Sequence, residues 1–121
     1  MIRNLAGILL ALCLAGCMGD GGVDVKGDVT GPSSAPIVGA RVYLDNPGRT
    51  RYPEGFEATT GPDGSFHISA LVAPGNYTIP LVVEANGFKT ARLDVPTLKD
   101  NVVEARLVGA DSRSDSTILL K

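Results

Sequence analysis

Hydrophobic and polar residues alternate along most of the chain from Val23 onward. Between residues 23 and 29, for example, valines alternate with Asp24, Lys26 and Asp28. A period of two residues is typical of strands that bury one face and expose the other. The pattern predicts six clear strands and a weaker seventh, with no sustained helical period. The clear strands fall at residues 23–29, 40–45, 65–70, 77–85, 93–95 and 102–107, and the weaker one at 56–60.

Glycine and proline separate these strands at positions that favour tight turns. In Gly61-Pro62-Asp63-Gly64, the proline restricts φ and the second glycine adopts conformations that other residues avoid. Asn86-Gly87 favours the primed turn of a β-hairpin. Short strands with this spacing and these turns predict an antiparallel β-sandwich. Pro80 lacks an N–H group, so we expect strand 77–85 to be interrupted, or paired on one side only, at this residue.

One face of the predicted strands supplies the expected hydrophobic core. Its members are the large apolar residues that share the inward side of each strand. They are Val25, Val29, Val42, Leu44, Phe66, Ile68, Tyr77, Ile79, Leu81, Val83, Phe88, Leu93, Val95, Val103 and Leu107.

The amino terminus has a different pattern, which is that of a secretory signal. Arg3 precedes ten apolar or small residues at 5–14, and small residues lead into Cys17. A run of ten residues is well short of the roughly 20 that span a bilayer as a helix. Leu14-Ala15-Gly16-Cys17 resembles the lipobox of bacterial lipoproteins. The alternatives are an ordinary signal peptide with a chance cysteine, or a short buried helix.

The lipobox resemblance implies cleavage before Cys17, with a diacylglycerol on its sulfur and a fatty acyl group such as palmitate on its new amino terminus. Two or three acyl chains would anchor a small domain firmly to a membrane without crossing it. The predicted organisation is a cleaved signal peptide at 1–16, a lipidated cysteine and tether at 17–22, a β-sandwich at 23–108 and a polar tail at 109–121. We expect the tail to be loose, although Ile118-Leu119-Leu120 could add an edge strand or cap the sandwich.

Composition narrows the class of protein further. Cleavage would leave 105 of the 121 residues, enough for one domain, and would change the net formal charge from −2 to −3. No basic stripe is present, so nucleic acid is not an expected partner. Of the two cysteines, Cys13 lies in the signal and Cys17 would carry the lipid, so no disulfide within the mature domain is expected.

Four short motifs occur in order along the predicted sandwich. They are Gly39-Ala40-Arg41-Val42-Tyr43-Leu44, residues 59–66 (Thr-Thr-Gly-Pro-Asp-Gly-Ser-Phe), Pro74-Gly75-Asn76-Tyr77 and Glu84-Ala85-Asn86-Gly87-Phe88. Together they resemble the carboxypeptidase regulatory-like domain. The resemblance implies an all-β, seven-stranded antiparallel Greek-key β-sandwich of the transthyretin (prealbumin-like) kind. It also implies a non-catalytic module, since such domains usually accompany enzymes or receptors, and the motif residues are then a signature of folding.

Candidates for catalysis and metal binding are few. His67 is the one histidine, and a zinc site built on it would need partners that the chain lacks. Ser65 and Ser69 share its side of the strand, but no nucleophile elbow accompanies them. The chain also lacks the several histidines and the Tyr-Arg-Gly-Ser ending of the hydroxyisourate hydrolases of this fold. We therefore predict neither an enzyme nor a cofactor or metal site.

The segment from Asn46 to Glu57 is the candidate contact surface. It carries arginines and aromatic residues in a loop longer than a plain hairpin, namely Arg49, Arg51, Tyr52 and Phe56, although a solvated loop is the simpler interpretation.

The predicted function is that of a lipid-anchored structural or protein-interaction module of the bacterial cell envelope. Its partners would be the membrane and an envelope protein or polysaccharide. The first alternative is a lipoprotein that binds a carbohydrate or small ligand through exposed aromatic residues, and a transthyretin-like hydrolase is a distant one. Met18, rather than an aspartate, follows Cys17. This favours the outer membrane, facing the periplasm, if the host has two membranes.

Overall fold

The computed structural model describes residues 22–45 and 56–121, and this part of the chain is all-β. The predicted transthyretin-like sandwich is confirmed. The described residues form eight strands, one more than predicted. They are β1 (Gly22–Thr30), β2 (Arg41–Leu44), β3 (Glu57–Thr59), β4 (Ser65–Leu71), β5 (Thr78–Glu84), β6 (Ala91–Pro96), β7 (Asp100–Arg106) and β8 (Thr117–Leu120).

The strands form two four-stranded sheets. The first, called the β1 sheet, has the order β4-β1-β7-β8, and the second, the β2 sheet, has the order β3-β2-β5-β6. The prediction of a purely antiparallel sandwich is wrong at one pair, because β1 and β7 run parallel. These strands are far apart in sequence, and the segment that connects them contains all four strands of the β2 sheet. Because no hairpin joins them, their relative direction is free to be parallel.

A glycine allows β1 and β7 to approach each other closely. Gly27 pairs with Val103, and a Cβ atom on Gly27 would lie 2.2 Å from the Val103 carbonyl oxygen and 2.8 Å from its Cγ2. No side chain fits such a separation. Gly27 therefore interrupts the run of inward valines in β1 and leaves space for Val103 in the core.

The core lies between the two sheets and contains nearly all the residues expected there. Tyr77, Phe88 and Leu93 are the exceptions, since they are only partly buried against it. The core also takes in residues outside the expected set, because short side chains and residues beside the strands fill the space that the larger ones leave. These additional members are Val23, Ala40, Phe56, Ala70, Val72, Ala91, Ala105 and Ile118.

Pro80 lies within an uninterrupted strand, so the expected interruption is wrong. The expected pairing on one side only is confirmed, because the ladder between β2 and β5 ends at Leu81 and Pro80 pairs with β6. It pairs with Asp94 on β6, and its carbonyl oxygen accepts a hydrogen bond from the Asp45 amide at 2.8 Å. In an antiparallel strand the nitrogen and the carbonyl of one residue face the same neighbour. The proline nitrogen therefore faces the place where β2 has just ended. Its missing N–H group removes no hydrogen bond from the ladder between β2 and β5.

Three buried polar side chains fasten loops to the sandwich. The Thr60 hydroxyl donates to the Ile37 carbonyl at 2.6 Å, and the Thr97 hydroxyl donates to the Gly75 carbonyl at 2.8 Å. The Asn101 amide donates to the carbonyls of Asp24 in β1 and of Pro96 at the end of β6, at 3.1 and 3.0 Å. Because buried polar groups are costly when unpaired, these bonds hold their loops in one arrangement.

The tail at 109–121 is more ordered than predicted. Residues 117–120 form β8, which pairs antiparallel with β7 at the edge of the β1 sheet. Ile118 is 5% exposed and packs into the core. Burial of this side chain, together with the hydrogen bonds to β7, stabilises the strand. The polar residues that precede it in the sequence favoured a loose tail instead.

Candidate functional site

The structure corrects one residue of the predicted contact surface. Cys17, Arg49, Arg51 and Tyr52 lie outside the described residues. Phe56, immediately before β3, is 4% exposed and belongs to the core, so it is not a surface contact. A large aromatic side chain beside a strand gains more by burial between the sheets than by exposure.

A different surface gathers charged and aromatic side chains on the outer side of the β2 sheet. We call it the charged face, and it consists of Arg41, Tyr43, Asp45, Glu57, Glu84 and Arg92. Alternation along each strand points these residues away from the core. The register then places Arg41 opposite Glu84, and Tyr43 between Glu57 on β3 and Val82 on β5.

Arg41 is the centre of the charged face. Its guanidinium donates a hydrogen bond to Glu57, lies 3.6 Å from the Glu84 carboxylate, and stands 4.4 Å from the centre of the Tyr43 ring. The hydrogen bond with Glu57 is the main cause that raises the pKa of Arg41 above its ordinary value. Contacts with two carboxylates and one aromatic ring restrict the orientations of this exposed side chain.

Tyr43 completes the network with its hydroxyl group. The hydroxyl donates to the Glu84 carboxylate at 2.9 Å. Burial is the main cause that raises the pKa of Tyr43 above its ordinary value, and the hydrogen bond to the Glu84 carboxylate is the second. The phenol therefore stays neutral at physiological pH. A second ion pair joins Arg92 to Asp45 at 3.1 Å. The charged face therefore presents paired charges on a rigid sheet and offers no activated nucleophile.

His67 has a partner that the sequence did not indicate. Its Nε2 lies 2.9 Å from the Asp24 carboxylate on the neighbouring strand β1, and both side chains are solvent-accessible. The Ser65 hydroxyl donates to Asp63 at 2.6 Å rather than to His67. A catalytic triad needs a serine that donates to the histidine. Ser65 therefore does not form one with this pair.

Metal and membrane-spanning features were sought in the same part of the chain. Within residues 22–45 and 56–121, no group of three or more His, Cys, Asp or Glu side chains is arranged to hold a metal ion. No helix in those ranges has the length and apolar character that crossing a bilayer requires.

Sequence reasoning missed the charged face because its members come from four strands. Arg41 and Tyr43 stand on the polar side of a predicted strand, and Glu84 on that of another, which marks each as outward-facing. The sequence does not show which strands are neighbours or which residues lie opposite each other. The order of the strands and their register bring the arginine, the tyrosine and the carboxylates together.

Several solved structures are similar to this chain at low sequence identity. Catechol 1,2-dioxygenase from Pseudomonas arvilla C-1 matches with a TM-score of 0.50 at 14% identity, covering 78% of this chain and 54% of that one. The chain thus spans about half the length of that protein. The dioxygenase domain of a carbohydrate-binding fusion protein from Streptomyces sp. SirexAA-E matches with a TM-score of 0.43 at 18% identity, covering 81% of this chain and 79% of that one. At 14% identity the first similarity shows a shared fold and does not indicate a shared activity.

Comparison of the sequence with known families gives a more specific result. No curated protein matches the chain. The family model of the carboxypeptidase regulatory-like domain matches residues 24–108, which is well over half of the chain and includes most of β1 and all of β2 to β7. The four sequence motifs fall within this match, at the turns and strands that build the sandwich. The chain therefore belongs to the carboxypeptidase regulatory-like domain family.

Proposed function

We propose that this protein is a non-catalytic, lipid-anchored module of the bacterial cell envelope, and that it binds another envelope protein. The charged face is the surface we assign to this contact. The observation that carries the proposal is the fixed arrangement of Arg41, Tyr43 and Glu84 on a sheet. Side chains that are already ordered lose little conformational entropy when a partner binds, which favours association.

The composition of the charged face also supports a protein partner. Arginine and tyrosine are enriched at the centres of protein interfaces, where they contribute a large share of the binding energy. Arg41 and Arg92 stand among three carboxylates, so the face carries both signs of charge in a defined pattern. Such a pattern selects a partner with complementary charges more than it adds affinity.

The membrane anchor rests on the amino-terminal sequence. Arg3, the apolar run and Leu14-Ala15-Gly16-Cys17 together favour a lipidated Cys17. The outer membrane, facing the periplasm, is the location we assign if the host has two membranes. Mass spectrometry of the amino-terminal peptide from the native membrane should find diacylglycerol and a fatty acyl group on Cys17. A mature chain that begins elsewhere or carries no acyl chain would contradict the anchor.

Two features argue against an enzyme. His67, the single histidine of the chain, pairs with Asp24 on an exposed sheet surface, where water has free access. The nearby Ser65 donates to Asp63 instead. Catalytic groups act most effectively where water is excluded and where donors can stabilise developing charge. Neither condition accompanies this histidine.

The carbohydrate-binding alternative needs an aromatic ring with an open face. The Arg41 guanidinium covers one face of the Tyr43 ring, and Tyr77 is partly buried against the core. Both features reduce the aromatic surface that a sugar ring could stack on within the described residues. The interaction module is therefore the better supported of the two.

Site-specific photo-crosslinking in intact cells tests the proposal. The crosslinker replaces Thr59, which is exposed on β3 and pairs with Arg41, and the matched control position is Ser69 on the outer side of the β1 sheet. We expect a discrete crosslinked protein from position 59 and not from position 69. Arg41→Gln should abolish the product. Equal products from both positions would contradict the assignment to the charged face.

A glycan array separates the alternative from the proposal. Envelope polysaccharide fragments are applied to the purified protein and to Tyr43→Phe and Arg41→Gln variants. The protein-interaction proposal predicts no saturable binding. Saturable binding that both variants weaken would favour the carbohydrate-binding lipoprotein instead.

A further inference from the structure

One end of the sandwich combines the first described residue with two exposed leucines. We call it the amino-terminal end, and it comprises Gly22, Leu71 with the β4–β5 loop (72–77), and the β6–β7 turn (97–99). Gly22 pairs with Leu71, the last residue of β4. On the other side of Gly22, its carbonyl oxygen accepts a hydrogen bond from the Leu98 amide at 3.0 Å.

The two leucine side chains are accessible to solvent. Leu71 is 75% exposed and Leu98 is 45% exposed. They lie on opposite sides of Gly22, and neighbouring strands are about 5 Å apart, so their backbones are roughly 10 Å from each other. Both leucines are therefore exposed apolar side chains at this end of the sandwich.

The backbone at Leu98 adds an independent observation. Its φ angle is +63°, in the left-handed region that glycine and asparagine occupy with less strain. The Thr97 hydroxyl bonds to Gly75 and the Leu98 amide to Gly22, so the turn is held by its neighbours. A leucine at this position strains the backbone and exposes apolar surface, and neither effect benefits folding. A residue kept under such strain points to a role outside the fold.

We propose that Leu71 and Leu98 insert into the interfacial layer of the bilayer to which Cys17 is anchored, and so set the orientation of the sandwich. This inference rests on the proposed lipid anchor. Cys17 precedes Gly22 by five residues, which span at most about 17 Å. The amino-terminal end is therefore the part of the sandwich that the anchor holds nearest to the lipid. Two leucines alone bind a membrane weakly, but the anchor keeps them beside it.

The charges at the same end favour an apolar contact over an electrostatic one. Lys99 is followed by Asp100, and Asp24 lies near the start of β1. Mixed charges give no net attraction to anionic lipids. Insertion should therefore be insensitive to salt, whereas a basic patch would release the membrane as the salt concentration rises.

The opposite end of the sandwich provides a matched control. Val38 is an exposed aliphatic residue in the connection between the carboxyl end of β1 and the start of β2, and it is 63% exposed. β1 is nine residues long and separates the two ends by roughly 30 Å. Val38 therefore lies far from the lipid if the leucines contact it.

The experiment measures membrane depth by fluorescence in the intact lipoprotein. Leu71→Cys, Leu98→Cys and Val38→Cys variants are purified from bacterial membranes, labelled with an environment-sensitive fluorophore and reconstituted in phosphatidylethanolamine–phosphatidylglycerol vesicles. Maturation removes Cys13 and the lipid occupies the Cys17 sulfur, so the introduced thiol is the one that reacts. Each sample is measured with and without nitroxide-labelled lipid, and the amino-terminal peptide is checked by mass spectrometry.

We expect a blue-shifted emission and at least several-fold stronger quenching at positions 71 and 98 than at position 38. The difference should persist at roughly 0.5 M salt, where the Debye length is only a few ångström. If the protein is acylated but the three positions behave alike, the orientation proposal is wrong while the anchored module stands. If Cys17 carries no acyl chain, both proposals fail.

A second variant keeps the test independent of the label at position 98. Leu98→Asn should raise the urea midpoint of unfolding, because asparagine tolerates the left-handed backbone, and should also lower the quenching of a fluorophore at position 71. The control, Val38→Asn, should leave the quenching at position 71 unchanged. Quenching at position 71 that Leu98→Asn does not alter would overturn the proposal.

Discussion

Single residues decide the geometry of the turn between β3 and β4. The Asp63 carboxylate accepts hydrogen bonds from the Ser65 amide at 3.1 Å and from the Ser65 hydroxyl at 2.6 Å. Gly64 follows with a φ angle of +79°. The Asp63 carboxylate holds Ser65, the first residue of β4, in place. Gly64 adopts the left-handed backbone conformation that the reversal of the chain requires. These contacts give the Thr-Gly-Pro-Asp-Gly-Ser-Phe motif a structural explanation at the level of individual atoms.

Gly64 is constrained by space as well as by its backbone angle. A Cβ atom there would lie 2.7 Å from the Val29 carbonyl oxygen and 3.0 Å from the Pro36 Cβ. We expect Gly64→Ala to lower the free energy of unfolding by about 2–4 kcal/mol, measured by urea denaturation. Gly39 has a similar φ of +80° but nothing within 4 Å, so Gly39→Ala should cost only about 1–2 kcal/mol. Equal losses would contradict the steric explanation.

Asp63 makes stability depend on pH in the acid range. Hydrogen bonds from the Ser65 side chain and backbone lower the pKa of Asp63 below its ordinary value of 3.8. A carboxyl group with a lowered folded pKa stabilises the fold above the unfolded pKa, and this contribution is lost as the pH falls through the folded pKa. We expect the urea midpoint to fall more steeply below about pH 4 in the natural protein than in Asp63→Asn. Parallel curves for the two proteins would rule out this role.

At the scale of elements, β8 shows how a polar segment acquires a structure. Ser112, Ser114 and Ser116 lie within the connection that leads from β7 to β8. The Ser116 hydroxyl donates to the Lys89 carbonyl at 2.7 Å and accepts a bond from the Val108 amide at 3.0 Å. The segment is thus tied down by side-chain hydrogen bonds before the strand begins. One inward isoleucine then secures the strand to the core.

The contribution of β8 can be measured through that isoleucine. Ile118→Ala should lower the free energy of unfolding by about 2–4 kcal/mol, because it removes a buried side chain and leaves a cavity. Leu119 stands on the exposed side of the same strand. Leu119→Ala should therefore change stability by no more than about 0.5 kcal/mol. Similar small effects from both variants in urea denaturation would mean that the strand frays.

At the scale of the whole molecule, the two sheets give the protein two different outer surfaces and two different ends. The outer side of the β2 sheet carries the charged face, and the amino-terminal end carries the exposed leucines. The proposed anchor and the proposed partner surface therefore occupy separate parts of one rigid sandwich. An orientation set at the membrane would determine where the charged face points.

The sandwich depends on contacts between its sheets, which Leu81 at the centre of β5 tests. Leu81 is fully buried and belongs to the core cluster. Leu81→Ala should cost about 2–5 kcal/mol, a large share of the stability of a domain of this size. Leu71→Ala, at an exposed position, should cost less than about 0.5 kcal/mol in the same denaturation experiment. A loss below 1 kcal/mol for Leu81→Ala would contradict its assignment to the core.

The sequence by itself determined the class of fold, because the period of two and the turn residues act locally. Val42, Leu44, Phe66 and Ile68 were recognisable as core residues from their neighbours alone. The order of the four family motifs pointed to the same sandwich. Side-chain alternation and turn preferences are properties of a few adjacent residues, so they can be recognised without the tertiary structure.

Only the tertiary structure decided which strands are neighbours, and with them the candidate surfaces. The parallel pairing of β1 with β7, the partners of Arg41 and the burial of Phe56 all depend on residues distant in sequence. Strand pairing is selected by the total burial and hydrogen bonding of the assembled sheets, and no local pattern specifies it. The physical reason is that contacts between sheets form only when the whole chain is folded.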